Sequence, residues 1–274
     1  MANTTLLTRL QSWHQNVVVL ITVLTGAAFT CQAGGSGNDD FEVIRRLPHD
    51  TTAYTQGLLY VDGQLYESTG QLGRSDVRRV DLETGQVQAS TRLANNRFGE
   101  GLALLGERLF QLTWQTHVGY VYEASTLALV DSFAYTGEGW GLATDGTSLI
   151  MSDGTANLRF LDPETFETTK EVTVQDQGSA LTSINELEYV QGVLYANIYQ
   201  SDRMVRIDPN TGEVLAWYNL AGLLPSGERS RTTDVLNGIA YHEGTGNLLV
   251  TGKFWPALFE IRLREASDDA GEGH

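Results

Sequence analysis

The chain contains one cysteine and only five prolines and five histidines among its 274 residues. An intrachain disulfide is excluded because Cys31 has no partner, so stability must come from packing. The histidines form no pair at metal-ligand spacing, which argues against a catalytic zinc site. Basic residues are also scarce: 18 Lys and Arg stand against 34 Asp and Glu, a net charge of −16. Without a basic stripe the chain is not expected to bind nucleic acid, and an anionic membrane surface is disfavoured.

The N-terminal segment has the arrangement of a secretory signal. Arg9 lies in a weakly basic stretch and is followed by an apolar run over residues 17–24, which is short for a membrane span. We therefore predict a signal segment over residues 1–30. The protein is expected to be exported, either to a periplasm or as a membrane-anchored lipoprotein.

Cys31 begins a tether over residues 31–40 that is rich in Gly, Ser and Asp. A lone cysteine at this place resembles the lipid-attachment cysteine of bacterial lipoproteins. Two outcomes stay open, namely lipidation of Cys31 with a lipid anchor and simple cleavage of the signal. A polar tail is predicted over residues 265–274, which leaves 41–264 as a single domain.

One segment returns five times in altered form, as QGLLYVDGQLYEST, EGLALLGERLFQLTW, WGLATDGTSLIMSDG, NELEYVQGVLYANIY and NGIAYHEGTGNLLVTGK. The copies start roughly 40 to 50 residues apart, the period of four-stranded propeller blades. Period-two patterning and Asp-centred hairpin signals such as LDPETF and IDPNTGEV dominate the chain. These patterns predict an all-β, five-bladed β-propeller. The early segment FEVIRRLP is expected to supply the outer strand of the last blade and so close the ring.

The innermost strand of a propeller blade starts near the axis, so one residue from each copy is expected around the channel mouth. These residues are Gln56, Glu100, Trp140, Asn185 and Asn237. The glycine that follows four of them, at positions 57, 101, 141 and 238, fits a crowded axis. A purely architectural repeat would also produce such a ring, with polar residues capping a water-filled channel.

Other side chains at strand ends favour a binding site over that architectural interpretation. They are Trp114, Tyr199, Lys253 and Trp255. Aromatic walls around a few polar groups are the usual form of a small-molecule site. Burial by these rings would raise the pKa of Glu100 and suit it to proton transfer near neutral pH. Glu138 in GEGWG is interpreted as the cap of a tight turn rather than as a second carboxylate of the site.

The motifs YTQGLLY, FGEGLAL, FQLTW, GEGWGLATDG, INELEYV, RIDPNTGEV and VTGKFWPALFEI closely resemble the glutaminyl-peptide cyclotransferases of the plant and bacterial type. The resemblance covers residues 41–263. It implies a five-bladed propeller that needs no metal or other cofactor. It also implies that the partners are peptides or proteins with an N-terminal glutamine, which is converted to pyroglutamate with release of ammonia.

The resemblance also implies roles for individual residues. Glu100 in FGEGL matches the family's catalytic glutamate. The other matches are pocket residues: Gln56 in TQGL, Trp114 in FQLTW, Trp140 in GEGWG, Asn185 in NELEY and Lys253 in TGK. Tyr199 departs from the family, which commonly has tryptophan there, so substrate preference is expected to differ more than chemistry.

Two other functions fit parts of the pattern. A non-catalytic propeller would bind peptides or sugars at the same aromatic mouth. A six-bladed, metal-dependent lyase or lactonase would need Glu100, Asn185 and Asn237 to converge on calcium, which five copies of the repeat disfavour. The sequence predicts no oligomeric state.

Overall fold

The computed structural model describes residues 40–264, and every structural statement below concerns that part of the chain. The predicted signal segment, Cys31 and the predicted tail lie outside the described residues. Within 40–264 no helix has both the length and the apolar character needed to cross a membrane.

Five four-stranded antiparallel sheets and one two-stranded hairpin make up the sheets of the described chain. The first blade contains β2 (Thr55–Val61), β3 (Gln64–Thr69), β4 (Asp76–Val80) and β5 (Val87–Arg92). The second contains β6 (Gly99–Leu105), β7 (Arg108–Thr113), β8 (Val118–Glu123) and β9 (Ala128–Ala134). The third contains β10 (Leu142–Thr144), β11 (Leu149–Met151), β12 (Asn157–Leu161) and β13 (Thr168–Thr173).

A short hairpin, β14 (Gln175–Asp176) and β15 (Ser179–Ala180), separates the third blade from the fourth. The fourth blade contains β16 (Ile184–Val190), β17 (Val193–Ile198), β18 (Arg203–Ile207) and β19 (Val214–Asn219). One 3-10 turn, Ser226–Glu228, leads to the fifth blade. That blade contains β20 (Leu236–His242), β21 (Asn247–Gly252), β22 (Ala257–Leu263) and β1 (Phe41–Pro48).

The fifth blade closes the ring with the N-terminal strand. β1 pairs antiparallel with β22, from Phe41 opposite Leu263 to Pro48 opposite Ala257. The innermost strands β2, β6, β10, β16 and β20 contact one another in sequence, and β20 returns to β2. The predicted five-bladed architecture and its closure by the N-terminal strand are therefore confirmed. A six-bladed enzyme is excluded.

The core lies between neighbouring blades rather than inside any one of them. Five apolar clusters occur, and each takes its side chains from two adjacent sheets. In the cluster that joins the fifth blade to the first, Leu47 of β1 packs with Leu58 and Leu258. The innermost strands are buried on both faces. The first residues of β12 alternate instead, with Leu158 buried between the half-buried Asn157 and Arg159. Each blade therefore depends on both of its neighbours.

Replacing Leu47 with alanine tests how much the closing strand contributes to stability. Leu47 is buried at the joint, so Leu47→Ala should lower the free energy of unfolding by about 2 to 4 kcal/mol. Val43→Ala is the matched control, because Val43 lies on the same strand but is 45% exposed, and it should cost less than about 1 kcal/mol. Urea unfolding followed by tryptophan fluorescence measures both. Equal effects of the two substitutions would show that β1 contributes nothing through its buried face.

Candidate active site

Irregular strand pairing directs the converging residues toward the axis. In blades one, two, four and five, the register between the innermost strand and its neighbour shifts at one place. These places hold Gln56, Glu100, Asn185 and Asn237. A bulge of this kind re-aims a side chain that regular pairing would leave facing a neighbouring blade. In blade three, β10 begins only at Leu142, so Trp140 precedes the strand.

The residue after each bulged position lies where the blades approach most closely. A Cβ added at Gly57 would lie 2.7 Å from the Leu102 nitrogen, and one at Gly141 would collide with the Asn185 carbonyl. Gly238 has φ +115°, which side-chain-bearing residues rarely adopt. The predicted glycine crowding is thus present in the structure. Blade four has Glu186 at the equivalent position, and its buried carboxylate accepts hydrogen bonds from backbone N–H groups of blades one and five.

A cavity of about 210 Å³ opens at this end of the axis. It is lined by Tyr54, Gln56, Phe98, Glu100, Trp114, Trp140, Asn185, Tyr199 and Lys253. Seven of the nine residues singled out in the sequence for catalysis or substrate binding therefore meet here. The cavity is smaller than pockets for drug-sized ligands, which are roughly 300 to 1,000 Å³, and suits a single residue.

Glu100 is the one carboxylate among the residues that line the cavity. Its residue is 4% exposed. Burial raises the pKa of Glu100 well above its usual value, while the charge of Lys253 and a hydrogen bond from Gln56 oppose that rise. Burial likewise lowers the pKa of Lys253, which Glu100 and Asp234 counteract. The site thus holds a carboxyl group whose burial favours its protonated form, beside a buried amine.

A chain of amide hydrogen bonds orients the polar floor of the cavity. Asn185 Nδ2 donates to Asn237 Oδ1 at 2.8 Å, and Asn237 Nδ2 donates to Gln56 Oε1 at 3.3 Å. Since its oxygen is the acceptor, Gln56 turns its NH₂ group toward Glu100, with which it hydrogen-bonds. Asn237, fully buried, does not line the cavity but fixes the orientation of the residues that do.

Two tryptophans of the cavity share one carboxylate. Trp114 Nε1 donates to Glu138 Oε2 at 2.7 Å and Trp140 Nε1 donates to the same oxygen at 2.9 Å. Gln115 Nε2 donates to the other oxygen at 2.9 Å. Burial opposes ionisation, but these bonds from Gln115, Trp140 and Trp114 keep the pKa of Glu138 below its usual value. Glu138 is therefore more than a turn cap: it sets the angle between two walls of the cavity.

Further rings surround Lys253. Its Nζ lies 4.7 Å from the centroid of Tyr54 and 5.2 Å from that of Tyr199, within cation–π range. Tyr199 meets Trp140 edge to face at 5.3 Å. The phenol ring of Tyr199 therefore forms part of the aromatic wall of the cavity, next to the ammonium group of Lys253.

Sequence reasoning missed Tyr54 and Phe98 as lining residues. Each lies two positions before one of the five residues predicted around the channel mouth, Tyr54 before Gln56 and Phe98 before Glu100. Glu138 likewise lies two positions before Trp140. Residues two apart along an extended chain face the same side, so this offset was a usable signal.

Trp255, predicted as a binding residue, lies behind the cavity wall instead. It is 1% exposed, packs in the cluster between blades four and five, and donates from Nε1 to the Asp234 carbonyl at 3.0 Å. A side chain on Gly252 would collide with its indole ring. Trp255 therefore supports the segment that carries Lys253. Within residues 40–264, no group of three or more His, Cys, Asp or Glu side chains is arranged to hold a metal ion.

The fold and the site together define a five-bladed propeller with an aromatic-walled, residue-sized cavity at its axis. Residues 13–263 match the family model described as glutamine cyclotransferase. The chain is 43% identical over 275 residues to the glutaminyl-peptide cyclotransferase of Arabidopsis thaliana, covering 93% of this chain and 85% of the relative. The crystal structure of Myxococcus xanthus glutaminyl cyclase superposes with a TM-score of 0.77 at 40% identity, covering 81% of this chain and 96% of the other. The chain belongs to the glutamine cyclotransferase family.

Removing the charge of Lys253 tests the electrostatics of the site. The ammonium group lowers the pKa of Glu100, so Lys253→Met should raise that pKa further above its usual value. The measurement is an NMR titration of carboxyl-labelled glutamate, with the Glu100 signal assigned by its loss in Glu100→Gln.

Two variants serve as controls. Lys253→Arg keeps the charge and should stay nearer the wild-type pKa. Lys170→Met removes a lysine that sits over Phe160 in the third blade and should leave the Glu100 titration unchanged. A titration midpoint that stays constant or falls in Lys253→Met would contradict the pairing of Glu100 with Lys253.

Proposed function

We propose that this protein is a glutaminyl-peptide cyclotransferase, which converts an N-terminal glutamine of peptides or proteins into pyroglutamate and releases ammonia. Family membership supports the activity. The observation that carries the assignment of the site is Glu100, a buried carboxyl group of raised pKa that lines a cavity of one residue's size.

The reaction joins two groups of one residue. The α-amino nitrogen attacks the carbon of the side-chain amide, a tetrahedral intermediate forms, and the bond from that carbon to the amide nitrogen breaks. Because nucleophile and electrophile are already linked, the protein must select the folded rotamer of glutamine. The indole rings of Trp114 and Trp140, both hydrogen-bonded to Glu138, suit that task.

Proton transfer is assigned to Glu100. The attacking amine must lose a proton and the departing nitrogen must gain one to leave as ammonia, so a single group that accepts and then donates balances the reaction. Burial raises the pKa of Glu100, which makes its carboxylate a stronger base for the first transfer and leaves its carboxylic acid able to donate in the second. Burial of the α-amine, whose usual pKa is about 7.7 to 8.0, favours its neutral and nucleophilic form.

The oxyanion of the intermediate needs donors placed in advance. The side-chain amide of Asn185 lines the cavity and has two N–H donors on Nδ2. One donates to Asn237 Oδ1, and the second is the donor that we assign to the oxyanion. Lys253 supplies the cation, 2% exposed and facing the same space. We assign the oxyanion to these two residues and recognition of the substrate amide to Gln56.

Ammonia release from a short glutamine-initiated peptide tests the activity and the role of Glu100 together. Glu100→Gln should lower kcat by roughly a hundredfold to ten-thousandfold, the usual contribution of a general acid–base group, while the thermal unfolding profile is retained. Glu107→Gln, an exposed carboxylate on the turn of the same blade, is the matched control and should keep wild-type turnover.

The same assay with a chelator tests whether a metal takes part, and turnover should persist. Near-normal turnover in Glu100→Gln would refute the assignment of this residue. A folded wild-type protein that binds the peptide without releasing ammonia would instead support the non-catalytic propeller.

We also propose that the protein is exported and that residues 1–30 are its signal. The sequence pattern described above supports this proposal. Mass analysis of the mature N-terminus should find a chain that begins near Cys31, with added lipid mass if Cys31 is the anchor. A mature chain that still starts at Met1 would refute export by this signal.

A further inference from the structure

A second groove adjoins the cavity. It has a volume of about 520 Å³ and is lined by Gln71, Leu72, Asn96, Phe98, Trp114, Gln115 and Thr116. Phe98 and Trp114 belong to both the groove and the cavity, so the two spaces share a wall. No lining residue of the groove is charged, although the chain carries a net charge of −16.

The exposure of Leu72 is unusual for this molecule. Among residues 40–264, most exposed large apolar side chains lie on the outermost strands of blades, namely Val43, Val87, Leu129, Val130 and Leu215. The other two, Leu72 at 65% exposure and Trp114 at 39%, lie beside the cavity. Exposed apolar side chains that are grouped around a concave surface mark binding sites more often than scattered ones do.

Leu72 is presented by a fixed turn. In the connection between β3 and β4, the nitrogens of Arg74 and Ser75 donate to the Gln71 carbonyl at 3.0 and 2.9 Å. Ser75 Oγ in turn accepts a hydrogen bond from the nitrogen of Gly99, the residue before Glu100, at 3.0 Å. The turn that holds Leu72 is therefore tied directly to the strand that carries Glu100.

We propose that this groove binds an apolar side chain of the substrate peptide, at one of the two positions that follow the N-terminal glutamine. This inference rests on the proposed cyclotransferase activity. The cavity takes only the first residue, so the rest of the peptide must leave through its mouth. Consecutive Cα atoms are about 3.8 Å apart, which brings the second or third residue over the shared rim of Phe98 and Trp114. The side chain then packs between Trp114 and Leu72.

The chemistry of the groove selects an uncharged, apolar residue. Covering Leu72 and the face of Trp114 with an apolar side chain removes apolar surface from water, which lowers the free energy of binding. A charged side chain would lose its hydration without finding a counter-ion among the lining residues. Asn96 and Gln115 add polar but uncharged groups to the lining.

Steady-state ammonia release from size-matched tetrapeptides tests the proposal. Leucine and asparagine are compared at position 2 and at position 3 of a glutamine-initiated peptide with alanine elsewhere, and Gln-Ala-Ala-Ala is the reference. For wild-type protein, kcat/KM should be roughly threefold to tenfold higher with leucine than with asparagine at one of these positions. In Leu72→Ser that preference should disappear, with kcat/KM for the reference peptide unchanged.

The control variant is Leu129→Ser, which removes a leucine of 54% exposure from β9 and should retain the preference. Wild-type protein that turns over all peptides without preferring leucine would overturn the proposal and leave the activity standing. An equal loss on every peptide in Leu72→Ser would also overturn it, because Leu72 would then act on the cavity itself. No ammonia from any peptide would overturn the proposed activity, and the groove assignment with it.

Discussion

The close approach of five strands at one axis governs this molecule. Bulging the innermost strands brings polar side chains to the axis but breaks the regular ladder, which leaves backbone groups that must find other partners in a buried region. Buried side chains supply them. Ser68 Oγ donates to the Glu100 carbonyl and Ser152 Oγ donates to the Asn185 carbonyl, at 2.5 and 2.7 Å. Asn197 Oδ1 accepts from the Gly238 nitrogen at 2.9 Å.

Glu186 is a buried acidic side chain that also serves as a hydrogen-bond partner for backbone groups near the axis. Its two oxygens accept hydrogen bonds from the Leu58 nitrogen at 3.2 Å and the Ile239 nitrogen at 2.8 Å, across the joint where the ring closes. Burial and the neighbouring Glu188 raise the pKa of Glu186 well above its usual value, so the protein bears the cost of an acidic group inside the core. Leaving two N–H groups without acceptors there would also cost free energy, about 1 to 3 kcal/mol for each. The catalytic geometry and the closure of the ring thus depend on the same buried network.

The repeat made most of the fold predictable, because each copy carries its own strand and turn signals and the copy number fixes the blade number. The converging residues were predictable for the same reason. Glu186 was not, since a glutamate after Asn185 gives no sign that it occupies a glycine's place in the other blades. Trp255 shows the opposite difficulty. Phe254 adopts φ 61°, and this left-handed residue interrupts the alternation of side chains, so that the indole of Trp255 turns into the core. Such local changes of direction depend on tertiary contacts that a single sequence does not display.

The joint that closes the ring also places the cation of the site. The Phe254 nitrogen donates to the Ala53 carbonyl at 2.7 Å, which ties the fifth blade to the segment entering the first. His49, which directly follows β1, has its Nδ1 2.8 Å from the Trp255 carbonyl. Lys253 lies immediately before these two anchored residues, and its own backbone pairs with Asp234 and Val235. Separation of β1 from β22 would therefore loosen the two contacts that anchor the residues directly after Lys253. Since the charge of Lys253 opposes the rise in the pKa of Glu100, loss of β1 from the fifth blade would alter proton transfer as well as stability.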